Sequence, residues 1–298
     1  VNAMIAQESL HYVEHHASDS ADKTLDLGLR TGFGNDWLRI SNTKVFADGS
    51  LIGRTCAMFE PFTNDKDPEN NGFFQMDVSE LRDVVIDSHR AGWQVGVHAI
   101  GDRAVSTVLD IYEEALAIHP RMDHRHRIEH AGVVRVEDVS RMARLGVIPV
   151  PQARFISELG DGMIDALGSD RVANCYRQKS FLDAGIPLPG SSDRPVVKGA
   201  PILGLHDLVN QKTSSGAFFN PHEALTIDEA LTAYTMGSAY AAFDETRKGS
   251  VTQGKLADLV VLDHDLRETA SDSIADITVT ATMVGGKFRY DPSGFSES

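Results

Sequence analysis

The chain has 298 residues, of which 42% are hydrophobic and 24% are charged, an ordinary composition for a globular protein with a packed core. Its 43 acidic residues outnumber 28 basic ones, giving a formal net charge of −15, which argues against nucleic acid or an anionic membrane surface as the partner. Two cysteines without a CxxC pattern and no apolar run near ~20 residues exclude a disulfide framework and a membrane span, so we expect a cytoplasmic protein.

Hydrophobic periodicity predicts alternating elements from about residue 78 onward. The first residues, before Met4, resemble an expression scar, and residues 1–26 are predicted to be irregular. Helices are predicted over 78–93, 103–119, 136–145, 170–184, 201–212 and 226–243, and strands over 94–98, 126–130, 147–151 and 186–188. Strands that alternate with helices of this length indicate βαβ units and a parallel sheet.

The pattern changes after residue 245. Residues 249–251, 256–262 and 277–290 are strand-like, and Gly285-Gly286 interrupts the last of them as a hairpin turn would. We therefore predict a small β appendage after the βα repeats.

Polar side chains follow three of the predicted strands at the point where each strand ends. His98 and His130 come at the end of apolar, β-prone runs, and Asp193 follows a third run. Neutral imidazoles and a carboxylate are ligands that suit zinc and similar divalent ions. The sequence therefore predicts a divalent-metal site formed by strand ends.

The spacing of these residues favours a barrel. His98 and His130 are 32 residues apart, and Asp193 follows 63 residues after His130. These separations correspond to one and two repeats of a (β/α)₈ barrel, whose catalytic groups lie at the carboxyl ends of its strands. A doubly wound open sheet is the alternative that the pattern leaves open.

Five stretches, taken in order, resemble the amidohydrolase superfamily, specifically the amidohydrolase family 3 branch that includes N-substituted formamide deformylase. They are KVFADGS at 44–50, the strings around His98 and His130, SSDRP at 191–195, and residues 249–263. The resemblance runs from about residue 27 to near the end of the chain. It implies an α/β fold: the later strands of a TIM-like (β/α)₈ barrel over 27–245, and a β-sandwich portion over 246–298.

The resemblance also implies a chemistry. Family members hold one or two divalent ions, usually zinc, and hydrolyse carbon–nitrogen bonds other than peptide bonds, so a small-molecule amide or N-formyl compound is the expected substrate. By position, His98 and His130 would be metal ligands, and Lys44 matches a lysine that can bridge two metals when carboxylated. Asp193 would bind metal and act as general base.

Two arginines are candidates for substrate binding. Arg154 and Arg194 follow strand ends, and either could meet a substrate carboxylate. We expect the pocket to be built from loops, including residues 57–72 and 154–162.

The chain departs from the family at one place. It has no copy of the first-strand His-x-His pair, because His124 and His126 belong to the approach to the strand that contains His130. We therefore expect the first three strands to be absent, leaving open sheet edges that require homo-oligomerisation or a missing N-terminal segment. Two alternatives to the hydrolase remain: a non-catalytic truncated scaffold, and a metal-dependent lyase or isomerase on the same barrel.

The other histidines carry no site pattern and are predicted to have structural or solvent-exposed roles. They are His11, His15, His16, His89, His119, His206, His222 and His264.

Overall fold

A computed structural model of the chain describes residues 1–13, 23–292 and 294. His15 and His16 lie outside the described residues. The fold divides into two compact units, the first comprising residues 1–151 and 162–186 and the second residues 152–161 and 187–298. The predicted boundaries at residues 26 and 245 stay predictions.

The first unit is built on a parallel sheet with helices between its strands. Its strands are β1 (Asn2–Ala6), β2 (Arg39–Phe46), β3 (Val95–Ala99), β4 (Arg127–His130) and β5 (Ile148–Val150). They lie side by side in chain order, each parallel to the next. In a doubly wound sheet the order of the strands reverses at a switch point, whereas in a barrel each strand lies next to the one that precedes it in the chain. The strand order therefore agrees with the barrel and not with the open-sheet alternative.

Amphipathic helices connect the parallel strands. In chain order they are α1 (Val78–Arg90), α2 (Asp102–Ile118) and α3 (Val136–Leu145). Their buried residues recur at helical spacing, as Leu81, Val84 and Val85 do in α1, and the strand residues Val97 and Ile128 are fully buried. The core of this unit lies between the sheet and these helices.

Four predictions about individual elements before residue 200 differ from the structure. Residues 1–26 were expected to be irregular, yet Asn2–Ala6 pair with β2. Residues 154–162, expected to be a loop, begin the helix α4 (Arg154–Val172), because Phe155, Ile156 and Met163 give that segment a buried face at helical spacing. The single helix predicted over 170–184 is divided in two. α4 ends at Val172, and α5 (Gln178–Asp183) begins after a turn in which Tyr176 has a φ of +47°. Residues 186–188 form no strand, although Ser191 makes an isolated parallel bridge with Gln152.

The second unit contains the later helices and a small antiparallel sheet. Its further elements are α6 (Pro201–Asn210), α7 (Ile227–Thr232), α8 (Ser238–Ala241), β6 (Leu259–Leu262), β7 (Val279–Val284) and β8 (Lys287–Tyr290). Thr226 caps α7 through a capping box with Glu229, which follows it by three residues in the sequence. The hairpin β7–β8 turns at Gly285-Gly286 as predicted, but residues 249–251 form no strand, and Gly249 has a φ of +90°.

Short 3₁₀ helices and a π-helical turn complete the described elements. The 3₁₀ helices are Gln7–Ser9, Asp26–Gly28, Pro221–Glu223 and Ser271–Asp276, and the π-helical turn is Ala233–Gly237. No helix among the described residues is long and apolar enough to cross a membrane.

A buried histidine cluster, which we define as His89, His124 and His126, lies where β3 and β4 begin. His89 Nε2 donates to the carbonyl of His119 at 2.7 Å, so its Nδ1 is the acceptor for His126 Nε2 at 2.8 Å. His126 Nδ1 in turn accepts from the backbone N–H of Val95 at 3.0 Å. These bonds fix both rings as neutral Nε2–H tautomers.

The third ring of the histidine cluster is fixed in the same way. His124 Nδ1 accepts from the backbone N–H of His126 at 2.9 Å, and its Nε2 donates to the carbonyl of Leu145 at 2.8 Å. Tyr112 stacks on the His126 ring at 5.0 Å, and a guanidinium nitrogen of Arg121 lies 3.5 Å from His126 Nε2. Burial lowers the pKa of all three histidines, and that of His126 most strongly.

Candidate active site

The carboxyl ends of β2, β3 and β4 bring together three of the residues predicted from the sequence. Lys44 in β2 is in register with Gly96, and His98 in β3 is in register with Phe46 and Glu129. His130 is the last residue of β4. Because neighbouring parallel strands end at the same edge of a sheet, these side chains share one edge.

His98 and His130 are in direct contact. Their ring centroids are 4.4 Å apart, and the ring planes meet at 69°. Glu129 is in register with His98, so the two side chains lie on the same face of the sheet. Strict alternation along β4 would place the His130 ring on the opposite face, away from His98. His130 has a φ of +74°, and β4 ends there, so the alternation stops and the ring lies against His98. A non-glycine residue in this conformation is an outlier of the kind that clusters at functional sites.

The hydrogen bonds of His98 determine its tautomer. Its Nε2 lies 2.9 Å from the carbonyl oxygen of Gly49, and a carbonyl can only accept, so Nε2 carries the proton and Nδ1 carries the lone pair. Burial lowers the pKa of His98 to about 4, and the charge of Lys44 adds to this effect. The ring is therefore neutral at pH 7, the form in which imidazole binds a metal ion.

Lys44 lies close to His98. Its side chain is half-buried, and its Nζ is 4.8 Å from the centroid of the Phe46 ring, in the range of a cation–π contact. The Phe46 ring is 5.2 Å from that of His98. The lysine charge thus lies close enough to act on the His98 ring.

Asp48 is a residue of this edge to which the sequence analysis gave no role. It follows β2 directly, is 1% exposed, and one of its oxygens lies 3.5 Å from His98 Nε2. Burial raises the pKa of Asp48 to about 7, although three backbone N–H groups that donate to it act in the opposite direction. An aspartate flanked by alanine and glycine inside a strand-end motif was the available signal.

The remaining predicted residues belong to the second unit. Asp193 has a φ of +56° and is exposed, as is Arg194, whereas Arg154 at the start of α4 is buried. The structure therefore brings Lys44, His98 and His130 together within the first unit, and it places the other three candidates in the second. Among the described residues, no group of three or more His, Cys, Asp or Glu side chains has the arrangement of a metal site.

Comparison with known proteins assigns the family. A model described as an amidohydrolase family, Amidohydro_3, matches residues 1–290. The chain belongs to the amidohydrolase family. The family predicted from the strand-end motifs is thereby confirmed.

The relatives of this amidohydrolase chain include curated proteins and solved structures. It is 32% identical over 287 residues to the putative amidohydrolase YtcJ of Bacillus subtilis, covering 95% of this chain and 52% of the relative. It is 32% identical to the N-substituted formamide deformylase of Arthrobacter pascens, with coverage of 72% and 40%. A crystal structure of an uncharacterized metal-dependent hydrolase from Pyrococcus horikoshii is 30% identical with a TM-score of 0.72, covering 82% of this chain and 48% of that one.

These comparisons bear on the fold and on the length of the chain. The likeness to metal-dependent hydrolase structures confirms the predicted fold class, a partial barrel with a small β-sandwich portion. The amidohydrolase chain spans about half the length of the curated relatives it matches.

Arg154 is committed to a buried network within the second unit. Its guanidinium donates to Asp207 at 2.6 Å and to Ser157 at 2.8 Å, and it pairs with Glu158. Asp207 is 1% exposed and also accepts from His206 Nδ1 at 2.9 Å. The network borders a cavity of about 510 Å³. A substrate carboxylate would have to compete with Asp207 for Arg154, so the substrate-binding role stays a prediction.

We expect Arg154→Ala to lower the free energy of unfolding by about 3–5 kcal/mol, because it leaves the buried Asp207 carboxylate without its guanidinium partner. The exposed Arg194→Ala is the matched control and should change it by less than about 0.5 kcal/mol. Urea unfolding followed by circular dichroism measures both. Equal effects of the two substitutions would contradict the structural role of Arg154.

Proposed function

We propose that the chain is part of a metal-dependent hydrolase that cleaves carbon–nitrogen bonds other than peptide bonds in a small amide or N-formyl compound. The observation that carries the proposal is the contact between His98 and His130 at the carboxyl ends of neighbouring strands. Active sites of (β/α)₈ barrels lie at that end of the strands. Family membership and the likeness to metal-dependent hydrolases support the reaction class.

The donor set at this edge fits a divalent cation, and zinc is the ion we propose. His98 presents a neutral ring with its lone pair on Nδ1, and His130 lies against it. Lys44 would join them in holding one ion, and Asp193, which belongs to the second unit, is a proposed ligand on the family resemblance alone. Bound there, the cation would polarise the substrate carbonyl and lower the pKa of a water molecule toward neutrality.

The chain's own residues would orient the reactants and move the proton. Asp193 would accept the proton of the attacking water and deliver it to the leaving nitrogen, which departs as a neutral amine. The Gly49 carbonyl would hold His98 in one tautomer throughout, since its hydrogen bond fixes the proton on Nε2.

The assembly and location of the chain are also part of the proposal. Within the described sheet of the first unit, β1 and β5 are the outermost strands, and association with a further copy of the chain at these strands is the assembly we propose. Cys56 and Cys175 are buried free thiols, which supports a reducing compartment such as the cytoplasm.

We expect Asp193→Asn to lower kcat/KM for the best substrate in a panel of N-formyl and N-acyl amines by at least about 100-fold, because a general base contributes roughly 10²–10⁴. Amine release by the zinc-supplemented protein is the measurement. Asp276→Asn, which also changes an exposed aspartate of the second unit, is the matched control.

The outcomes separate the alternatives. Full activity of Asp193→Asn would remove the general-base role. A folded wild-type chain that binds zinc and releases no amine from any member of the panel would favour the non-catalytic scaffold. Elimination or isomerisation of a panel member without hydrolysis would favour the lyase or isomerase.

A further inference from the structure

Three consecutive residues after β2 contact the segment that carries His98. The backbone N–H of Ala47 donates to the carbonyl of His98 at 2.9 Å, and the carbonyl of Gly49 accepts from the His98 ring. Between them, Asp48 accepts hydrogen bonds from Ile100 at 3.0 Å and from Gly101 at 2.8 Å. His98 is therefore held through its own backbone, its ring and the residues that follow it.

Asp48 also binds a second loop. The oxygen that accepts from Gly101 accepts in addition from the backbone N–H of Ala57 at 2.9 Å. The two loops are in close contact, because a Cβ on Gly101 would lie 2.0 Å from the Ala57 carbonyl oxygen. A single buried carboxylate thus joins the loop after β2 to the loop after β3.

We propose that Asp48 is a positioning residue for the candidate metal site: it fixes the loop after β3 so that His98 keeps Nε2 on the Gly49 carbonyl and presents Nδ1 to a cation. The inference rests on the proposed metal-binding role of His98. Asp48 acts through the loops, and its carboxylate is fully engaged by backbone donors.

Only an acceptor-only group can satisfy this arrangement. Three N–H groups point at the two oxygens of Asp48, and a carboxylate accepts at both. An asparagine at this position has one acceptor oxygen, and its NH₂ group would face at least one backbone donor. Asp48→Asn keeps the size of the side chain and removes the acceptor that the loops require.

The test compares Asp48→Asn with Asp138→Asn in the intact chain. Asp138 is a buried carboxylate of the same unit, and it pairs with Arg135, which precedes α3, and with Arg141 in α3. Both substitutions replace a buried carboxyl group with an amide of the same size, so a general loss of stability affects both. Two-bond ¹H–¹⁵N spectra of ¹⁵N-histidine protein report the tautomer of His98, and zinc titration reports affinity.

We expect Asp48→Asn to convert His98 from the Nε2–H form to a mixture of tautomers and to weaken zinc binding by about 10–100-fold, as loss of an outer partner of a metal ligand does. Asp138→Asn should leave the His98 signals and the zinc affinity unchanged. An unaltered Nε2–H signal in a folded Asp48→Asn protein would overturn the inference.

A measurement on the wild type covers the case in which Asp48→Asn fails to fold. The amides of Ala57, Ile100 and Gly101 should exchange with solvent far more slowly than in an unstructured peptide, because each donates to Asp48. Exchange within about tenfold of the unstructured rate would overturn the inference. A wild type that binds no zinc would contradict the proposed function, while the tautomer and exchange data would still decide the role of Asp48.

Discussion

Zinc binding is expected to disappear when both histidines of the strand-end pair are replaced. The wild-type chain should retain about one zinc ion after extensive dialysis, and the His98→Ala, His130→Ala double variant essentially none. The physical reason is that these rings are the adjacent nitrogen donors of the edge, and His98 is held neutral with a defined lone pair. Elemental analysis of the purified proteins makes the measurement.

The single variants rank the two ligands. His98→Ala and His130→Ala should each weaken zinc binding by more than the roughly 10–100-fold that loss of an outer partner produces, because each removes a direct donor. The exposed His222→Ala is the matched control and should bind zinc as the wild type does. Circular dichroism confirms that each variant is folded.

Two results would contradict the prediction in different ways. Equal zinc contents in the wild type and the double variant would place the bound ion elsewhere in the protein. A folded wild type without zinc would mean that the His98–His130 pair does not hold the ion by itself.

The second expected result concerns acid stability and the histidine cluster of His89, His124 and His126. The pKa of each ring is lowered by burial in the folded chain, so the unfolded chain binds more protons below about pH 6.5. The stabilisation is therefore fully present above pH 6.5 and is lost as the pH falls. Each Nδ1 already accepts a hydrogen bond, so a proton added there would face a donor.

His126 contributes most, because it is completely enclosed. Its protonation in the unfolded chain should lower the free energy of unfolding by at most about 1.4 kcal/mol for each pH unit below 6.5. The titratable groups around it are the other two cluster histidines and Arg121, while His119 acts on His89 and Asp123 on His124.

Two carboxylates act in the opposite direction over the same pH range. The pKa of Asp48 is raised to about 7 and that of Asp102 is raised as well, in both cases by burial, so each binds its proton more readily in the folded chain. Their contribution to stability grows as the pH falls below these values and is lost as it rises. Asp48 and Asp102 are present in both proteins of a comparison between the wild type and a histidine variant, so their effect on the pH dependence of stability cancels.

The experiment therefore compares the wild type with His126→Asn by urea unfolding at pH values from 8 to 5. The Asn oxygen can accept from Val95 in place of Nδ1, and the side chain does not titrate. We expect about 1–3 kcal/mol lower stability at pH 8, from the lost bond to His89, and a slope shallower by up to about 1.4 kcal/mol per pH unit. His222→Asn should follow the wild type, and parallel slopes for wild type and His126→Asn would contradict the prediction.

The sequence determined the elements that depend on local periodicity. α3 has the predicted bounds, and β3 and β4 begin or end within a residue of theirs, because apolar spacing along a short segment decides helix or strand. The capping box at Thr226 is likewise a local pattern. His98 and His130 could be placed at one sheet edge because parallel neighbours end together.

Segments without a clear local signal were harder to predict. Asn2–Ala6 pair with β2 through backbone bonds that no short pattern encodes, and residues 154–162 follow a strand yet have a buried helical face. The local sequence of residues 154–162 does not strongly favour either a loop or a helix, and tertiary packing decides between them.

Only the tertiary structure decided which polar side chains meet. The contact of His130 with His98 depends on a positive φ at the end of β4, and the three donors to Asp48 come from two loops that are distant from each other in sequence. The histidine cluster likewise joins residues from separate segments of the first unit. The sequence could specify the strand ends because their geometry is local. Hydrogen-bond partners, burial and tautomers depend on segments that approach one another only in the folded chain. These three properties determine the chemistry at the carboxyl ends of β2, β3 and β4.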